Sequence, residues 1–219
     1  MRQERSFALL DGMPRVTEEH RTARREQILD AAVTTFAVQG FQATGMAEII
    51  AASGLSAGAV YRYFVSKDEL IEAIVDRVLG QAAGRFQQLL DEGHAPHPAE
   101  AVAAAVDLVT TVAQRGPVDM TRVAVQAWAE ALRTPGVAAV VDRAYRTIRG
   151  YFAEVARRAQ ATGQLPPDAD PEHVAAGMLS LVLGFLLQRL LLGDVPAAAY
   201  AEGVRALLAG AGRARGTAS

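Results

Sequence analysis

The chain has no cysteine. That excludes a disulfide framework, a thiolate metal site and a cysteine nucleophile, and it is compatible with a reducing cytoplasm. Lysine is almost missing as well: of 22 basic residues all but Lys67 are arginine. Excess positive charge is also lacking, because the formal net charge is −2. Any affinity for phosphate must therefore come from local placement of Arg21, Arg24, Arg25, Arg62 and Lys67, not from overall basicity. Histidines are few and scattered, at 20, 94, 97 and 173. The His94-x-x-His97 spacing has no further Cys or His close by, so no metal site is expected. There is no Gly-rich phosphate loop, no Gly-x-Ser-x-Gly elbow and no His-Glu-x-x-His. These absences argue against an enzyme and against a cofactor.

What is present organises itself around residues 44 to 70. Met46, Ile49 and Ile50 fall at i, i+3 and i+4, one face of a helix of about seven residues starting near Thr44 or Gly45. Ser53-Gly54 stops it, since glycine enters the left-handed region without steric cost. Leu55 is placed to plug the space between two helices. Ser56 caps the next one, whose first turn holds only Ala57, Gly58 and Ala59, followed by Val60, Tyr61, Arg62, Tyr63 and Phe64. Small residues allow close approach to another surface, and phenol and guanidinium groups beside them can hydrogen-bond phosphate. This is the chemistry of a helix entering a major groove. Ser66-Lys67-Asp68-Glu69 is then a capping box for a longer helix, with Lys67 at the end that favours anions.

Thr44, Ile49, Gly54-Leu55-Ser56, Gly58, Val60-Tyr61, Tyr63-Phe64, Ser66-Lys67 and Leu70, in that ungapped spacing, resemble the helix-turn-helix of the bacterial TetR-type transcriptional regulators. The resemblance implies that Thr44, Tyr61 and Lys67 hold phosphates, with Gly45 counted beside them at the helix start. It also implies that Ser56, Ala57, Gly58, Ala59, Arg62 and Tyr63 face base edges or the adjacent backbone. Ile50 departs from the alanine common in the family, and Ala57 and Ala59 offer methyls where many members are polar. The operator sequence is therefore not legible.

The rest of the chain reads as all-α: alanine and leucine dominate, and proline and glycine fall between periodic segments. Residues 1–15 read as a flexible tail. The apolar patch Phe7 to Leu10 is too short for a signal peptide. A helix opened by Thr17 and closed by Gly40 carries the stripe Ile28, Leu29, Ala32, Val33 and Phe36. From Lys67 a helix of about 25 residues would span nearly 40 Å and could belong to two domains. Beyond a His/Pro linker, helices are expected over 98–115, 119–133, 135–162, 170–192 and 196–208. The run from Met178 to Leu192 is apolar on all sides, but Arg189 makes it a poor membrane span; burial against its own core and a partner is the simpler reading. No membrane is expected.

The expected organisation is thus a helix-turn-helix DNA-binding domain at 16–65, a connecting helix at 66–93, a ligand-binding and dimerisation domain at 98–210, and a frayed tail at 211–219. The resemblance implies dimerisation through the helices at about 171–192 and 196–208. It also implies a double-stranded, palindromic DNA operator and repression relieved by an unidentified small molecule, in the cytoplasm. Candidate pocket residues are Val109, Met120, Trp128, Tyr145, Phe152 and Leu183. Taken alone, each reads more readily as core than as ligand contact, and together they favour an apolar or aromatic effector. The alternatives are an architectural or adaptor DNA-binding protein that senses nothing, and a helical enzyme.

Overall fold

The computed structural model describes residues 18–91, 95–114, 116 and 118–213, and the described residues form nine α-helices. What the sequence leads one to expect of residues 1–17, 92–94, 115, 117 and 214–219 falls outside them. Helix α1 (Glu18–Gln39) buries the predicted stripe and ends where Gly40 takes φ 85°. Helix α2 (Met46–Ser53) is closed by Gly54 at φ 67°. A tight turn leads into α3 (Ala57–Tyr61), where Ser56 Oγ accepts from the Ala59 amide at 3.3 Å.

Helix α4 (Lys67–Asp91) is 25 residues long, roughly 37 Å at 1.5 Å per residue. Its first half buries Leu70, Ile71 and Ile74 against α1 to α3, and its second half places Phe86 in a separate apolar cluster. The body around that second cluster consists of α5 (Pro98–Gln114), α6 (Thr121–Ala131), α7 (Pro135–Ala161), α8 (Pro171–Leu191) and α9 (Ala197–Arg213). The two cores are not sealed from each other by sequence position: Val123 of α6 and Val140 of α7 are buried in the head cluster. Polar ties join the same elements. Arg77 on α4 bonds Glu26 and Asp30 of α1 at 3.0 and 2.7 Å, and Arg143 on α7 bonds Asp76 of α4 at 2.7 Å.

Helix α8 is long and apolar enough to cross a bilayer by length and composition alone. It is built into the body instead, with Ala175, Met178, Leu179, Val182, Phe185 and Leu186 buried. Arg189 near its end is held by Asp119 at 2.6 Å. Helix α9 runs to Arg213, past the expected helix end at Leu208.

Candidate DNA interface and interior cavity

The turn between α2 and α3 is fixed by local polar groups. Ser53 Oγ donates to the Ile50 carbonyl at 2.8 Å and accepts from the Leu55 amide at 3.2 Å, while Gln27 of α1 donates to the Ser53 carbonyl at 2.8 Å. Val60 is fully buried beneath α3. The opposite side presents Ser56, Ala57, Gly58, Tyr61 and Arg62 outward, with Ala59 and Tyr63 half-buried beside them. Nothing lies within 4 Å of where a Gly58 Cβ would stand, so this first turn is bare surface.

Three expected contact residues turn out to have internal work. Thr44 is 1% exposed, and its hydroxyl donates to the Gly40 carbonyl at 2.8 Å. The phosphate role expected for it is corrected, because the side chain faces inward and closes the end of α1. Gly45 caps α2, its amide donating to the Glu48 carboxylate at 2.9 Å. Lys67 is half-buried: its ammonium donates to the Phe41 carbonyl at 2.9 Å and stands 5.7 Å from the centre of the Phe41 ring. An ammonium has three donors, so this bond leaves others for a phosphate. At the start of α4 the capping box is shifted by one residue. Ser66 Oγ accepts from the Glu69 amide at 3.2 Å, but the Glu69 carboxylate accepts from Val65 at 2.8 Å instead of from Ser66. On α1, Arg21 and Arg25 each have a glutamate within 4 Å, and the Arg25 guanidinium lies 5.3 Å above the Phe64 ring.

Behind this face, between the two cores, lies a cavity of about 210 Å³. Its wall includes Phe41, Ile71 and Ile74 from the head and Phe86, Leu179 and Val182 from the body. Of the six expected pocket residues, Val109, Met120, Trp128, Tyr145 and Leu183 line it. Phe152 does not: it is fully buried and packs edge-on against Phe86 at 5.0 Å, so its placement in the pocket is corrected to core. Among the described residues, no acidic or basic side chain lines the cavity. The Thr121 hydroxyl on the wall is already engaged, bonded to Asp119 at 2.5 Å and to Arg189. Burial by itself would raise the Asp119 carboxyl, but hydrogen bonds from Thr121 and Arg189 outweigh it and hold the group below its usual value. The Tyr145 hydroxyl is buried without a hydrogen-bond partner, and burial pushes the phenol well above its ordinary range.

Phe41 and Gln42 had no role assigned from sequence. Gln42 donates to the Glu130 carboxylate on α6 at 2.6 Å, and Thr134 donates to the same carboxylate. Those two bonds, Thr134's first, hold the Glu130 carboxyl below its usual value. The turn between α1 and α2 is thereby joined to Lys67 through Phe41 and to α6 through Gln42, partners far apart in sequence.

Residues 28–74 match the family described as bacterial regulatory proteins, tetR family, and residues 98–212 match the C-terminal part of BetI-type transcriptional repressors. The chain belongs to the TetR family. The Escherichia coli HTH-type transcriptional regulator UidR is 30% identical over 193 residues, 85% of this chain and 91% of UidR. The solved structure of Salmonella enterica GusR superposes with a TM-score of 0.69 at 29% identity, covering 89% of this chain and 97% of GusR. A transcriptional regulator from Saccharomonospora viridis in complex with choline has a TM-score of 0.66 at 21% identity, over 85% and 96% of the two chains, a likeness of fold. As a TetR-family member the chain is a DNA-binding transcriptional regulator and not an enzyme. Its head is the family's helix-turn-helix, and the cavity lies where that head meets the helical body.

Proposed function

We propose that this regulator is a homodimeric repressor, working in the cytoplasm, that holds a palindromic operator and releases it when a small molecule occupies the cavity. The observation that carries the reading is Phe41, whose side chain lines the cavity while its carbonyl holds the Lys67 ammonium. In this reading residues 16–65 form the DNA-reading head, 66–93 the connecting helix and 98–210 the sensing and dimerising body. Ser56, Ala57, Gly58, Ala59, Arg62 and Tyr63 meet base edges or the nearby backbone, while Gly45, Tyr61 and Lys67 meet phosphates.

A ligand filling the cavity presses on Phe41 from one side and on α6, through Ala124, Ala127 and Trp128, from another. Both surfaces connect to the turn before α2, directly through Phe41 and by way of the Gln42 to Glu130 bond. The ligand shifts the population toward a head arrangement that no longer matches DNA, by its differential affinity for the two forms and no more. Leu187 and Leu191 on α8, Leu192 at its C-cap and Leu207 on α9 are exposed, by 37%, 77%, 65% and 71%. Such a patch on helices whose other sides are core supports a two-fold contact with a second copy. A pair of recognition helices then doubles the bases one head can read. The Saccharomonospora viridis protein holds choline, but here no carboxylate among the described residues lines the cavity to pair with a quaternary ammonium, so we infer a different effector. The cavity also speaks against an architectural protein without an effector.

Selection of genomic fragments by the purified protein, repeated with a metabolite extract, tests the reading. Enrichment of two-fold symmetric fragments, with retention lowered by the extract, is expected. No enrichment would remove the operator, and enrichment that no extract alters would leave the architectural alternative.

A further inference from the structure

Operator recognition, as read above, needs a side chain that tells one base pair from another. Resting on that reading, we infer that Arg62 is this residue, its guanidinium donating as a fork to O6 and N7 of one guanine in each half of the operator.

The first turn of α3 has little to offer a base edge. Ala57 is exposed and Ala59 half-buried, and each carries only a methyl, while Gly58 carries no side chain at all. The Ser56 hydroxyl is engaged in the cap, accepting from the Ala59 amide. Hydrogen-bonding side chains on the outward side therefore come from the far end of the helix, from Tyr61, Arg62 and Tyr63. A phenol makes a single contact that several base edges can satisfy. A guanidinium holds five N–H donors in one plane and matches two acceptors on one base, an arrangement that only guanine shows in the major groove. Arg62 has helical dihedrals, φ −73° and ψ −19°, and follows Gly58 by one helical turn, so the two share a face. A long side chain on a helix leans back over the turn before it. Gly58 leaves that turn bare, with nothing within 4 Å of where its Cβ would stand.

The partners of the other cations single Arg62 out. Among the arginines and lysine described between residues 18 and 67, Arg21 has Glu18 at 3.4 Å and Arg25 has Glu26 at 3.8 Å. Arg24 donates to Gln27 at 2.8 Å, and Lys67 donates to the Phe41 carbonyl at 2.9 Å. Arg62 is exposed and makes no hydrogen bond or ion pair with any described residue. Its fork gives up no described internal contact on meeting DNA, and the described head assigns it no structural task.

The selected operator fragments test this, with each guanine of one half replaced in turn by 7-deazaguanine, which lacks the N7 acceptor. Fluorescence titration of the full chain should find one guanine at which the replacement weakens binding about tenfold, the worth of one charged hydrogen bond. In Arg62→Ala the same replacement should change nothing. The substitution itself should weaken binding to operator at least about tenfold more than binding to unrelated DNA, with an unchanged urea midpoint to report that the variant is folded. Equal weakening on operator and unrelated DNA assigns Arg62 to the phosphates and overturns the inference. So does a half-site in which no guanine responds, and so does a response that survives in Arg62→Ala, which gives the guanine to another side chain. In each of these cases the operator is still bound and the repressor reading stands. If no genomic fragment is retained at all, the inference falls together with the operator part of that reading.

Discussion

The head and the centre of the molecule handle apolar side chains in opposite ways. In the head, α1 to α3 pack around Phe36, Ile49 and Val60 with no exposure at any of the three, and Phe36 stacks on Phe41 with ring centres 4.4 Å apart. At the centre, α4 to α8 meet around a space that no described side chain fills. Close packing holds α1, α2 and α3 at fixed angles, as a DNA-reading surface requires, because a filled core resists deformation. An unfilled centre forgoes dispersion contacts, and a ligand can restore them. Phe41 belongs to both regions, which makes it the place where occupancy of one can be felt by the other.

The largest effect should come from emptying the filled region. Phe36→Ala is expected to cost about 3–5 kcal/mol, measured as a shift of the urea midpoint. Val109→Ala on the cavity wall should cost clearly less, since part of that side chain already faces empty space. Equal losses at the two positions would erase the contrast. Next in size is the opposite operation. Ala127→Leu should add methyls where there is room and stabilise by roughly 0.5–2 kcal/mol, while reducing the binding of a one-ring apolar probe such as ethylbenzene by calorimetry. A destabilised variant with unchanged binding would mean that the space at Ala127 is not the space that ligands use.

The same contrast explains what the sequence could disclose. Ser56, Gly54 and the Ser66 to Glu69 box act on groups within four residues, so turn chemistry alone places the helices of the head. Even there direction was hidden: a threonine before α2 can turn its hydroxyl outward or back to the Gly40 carbonyl, and Thr44 does the latter. Helical periodicity in the body finds the inward face but not the height along it. Tyr145 and Phe152 share a face of α7, seven residues or about 10 Å apart, and only Tyr145 reaches the cavity while Phe152 lies in the second core. Phe41 and Gln42 sit in a turn without periodicity, and the Gln42 to Glu130 bond spans 88 positions. No local pattern announces a contact of that kind.

On the outer side of the head, Tyr61 is 46% exposed and stands clear of the core that Val60 fills. Tyr61→Phe should therefore leave the urea midpoint unchanged and weaken operator binding by on the order of 1 kcal/mol, read by a fluorescence titration. Loss of stability instead of affinity would place Tyr61 with the packing of the head.

The smallest effect separates head from centre by pH. The head's internal cation, Lys67, is held by a carbonyl that does not titrate, whereas Arg189 at the end of α8 is held by a carboxylate, Asp119. The folded Asp119 carboxyl lies below its ordinary value of 3.8. A depressed carboxylate stabilises the fold above the unfolded value and loses that contribution as pH falls through the folded one. The urea midpoint of Asp119→Asn should accordingly trail that of the unaltered chain by a constant margin near neutral pH, and the margin should close as pH drops through and below about 4. Lys67→Ala should show a much smaller closure over the same range, because the bond it removes involves no acid and its charge is the least of the influences that hold the Glu130 carboxyl down. A margin for Asp119→Asn that is flat down to pH 3 would mean that Arg189 draws its hold from Thr121 alone, and the polar tie between α8 and the wall of the cavity would then be the same kind of contact as the one beneath Lys67.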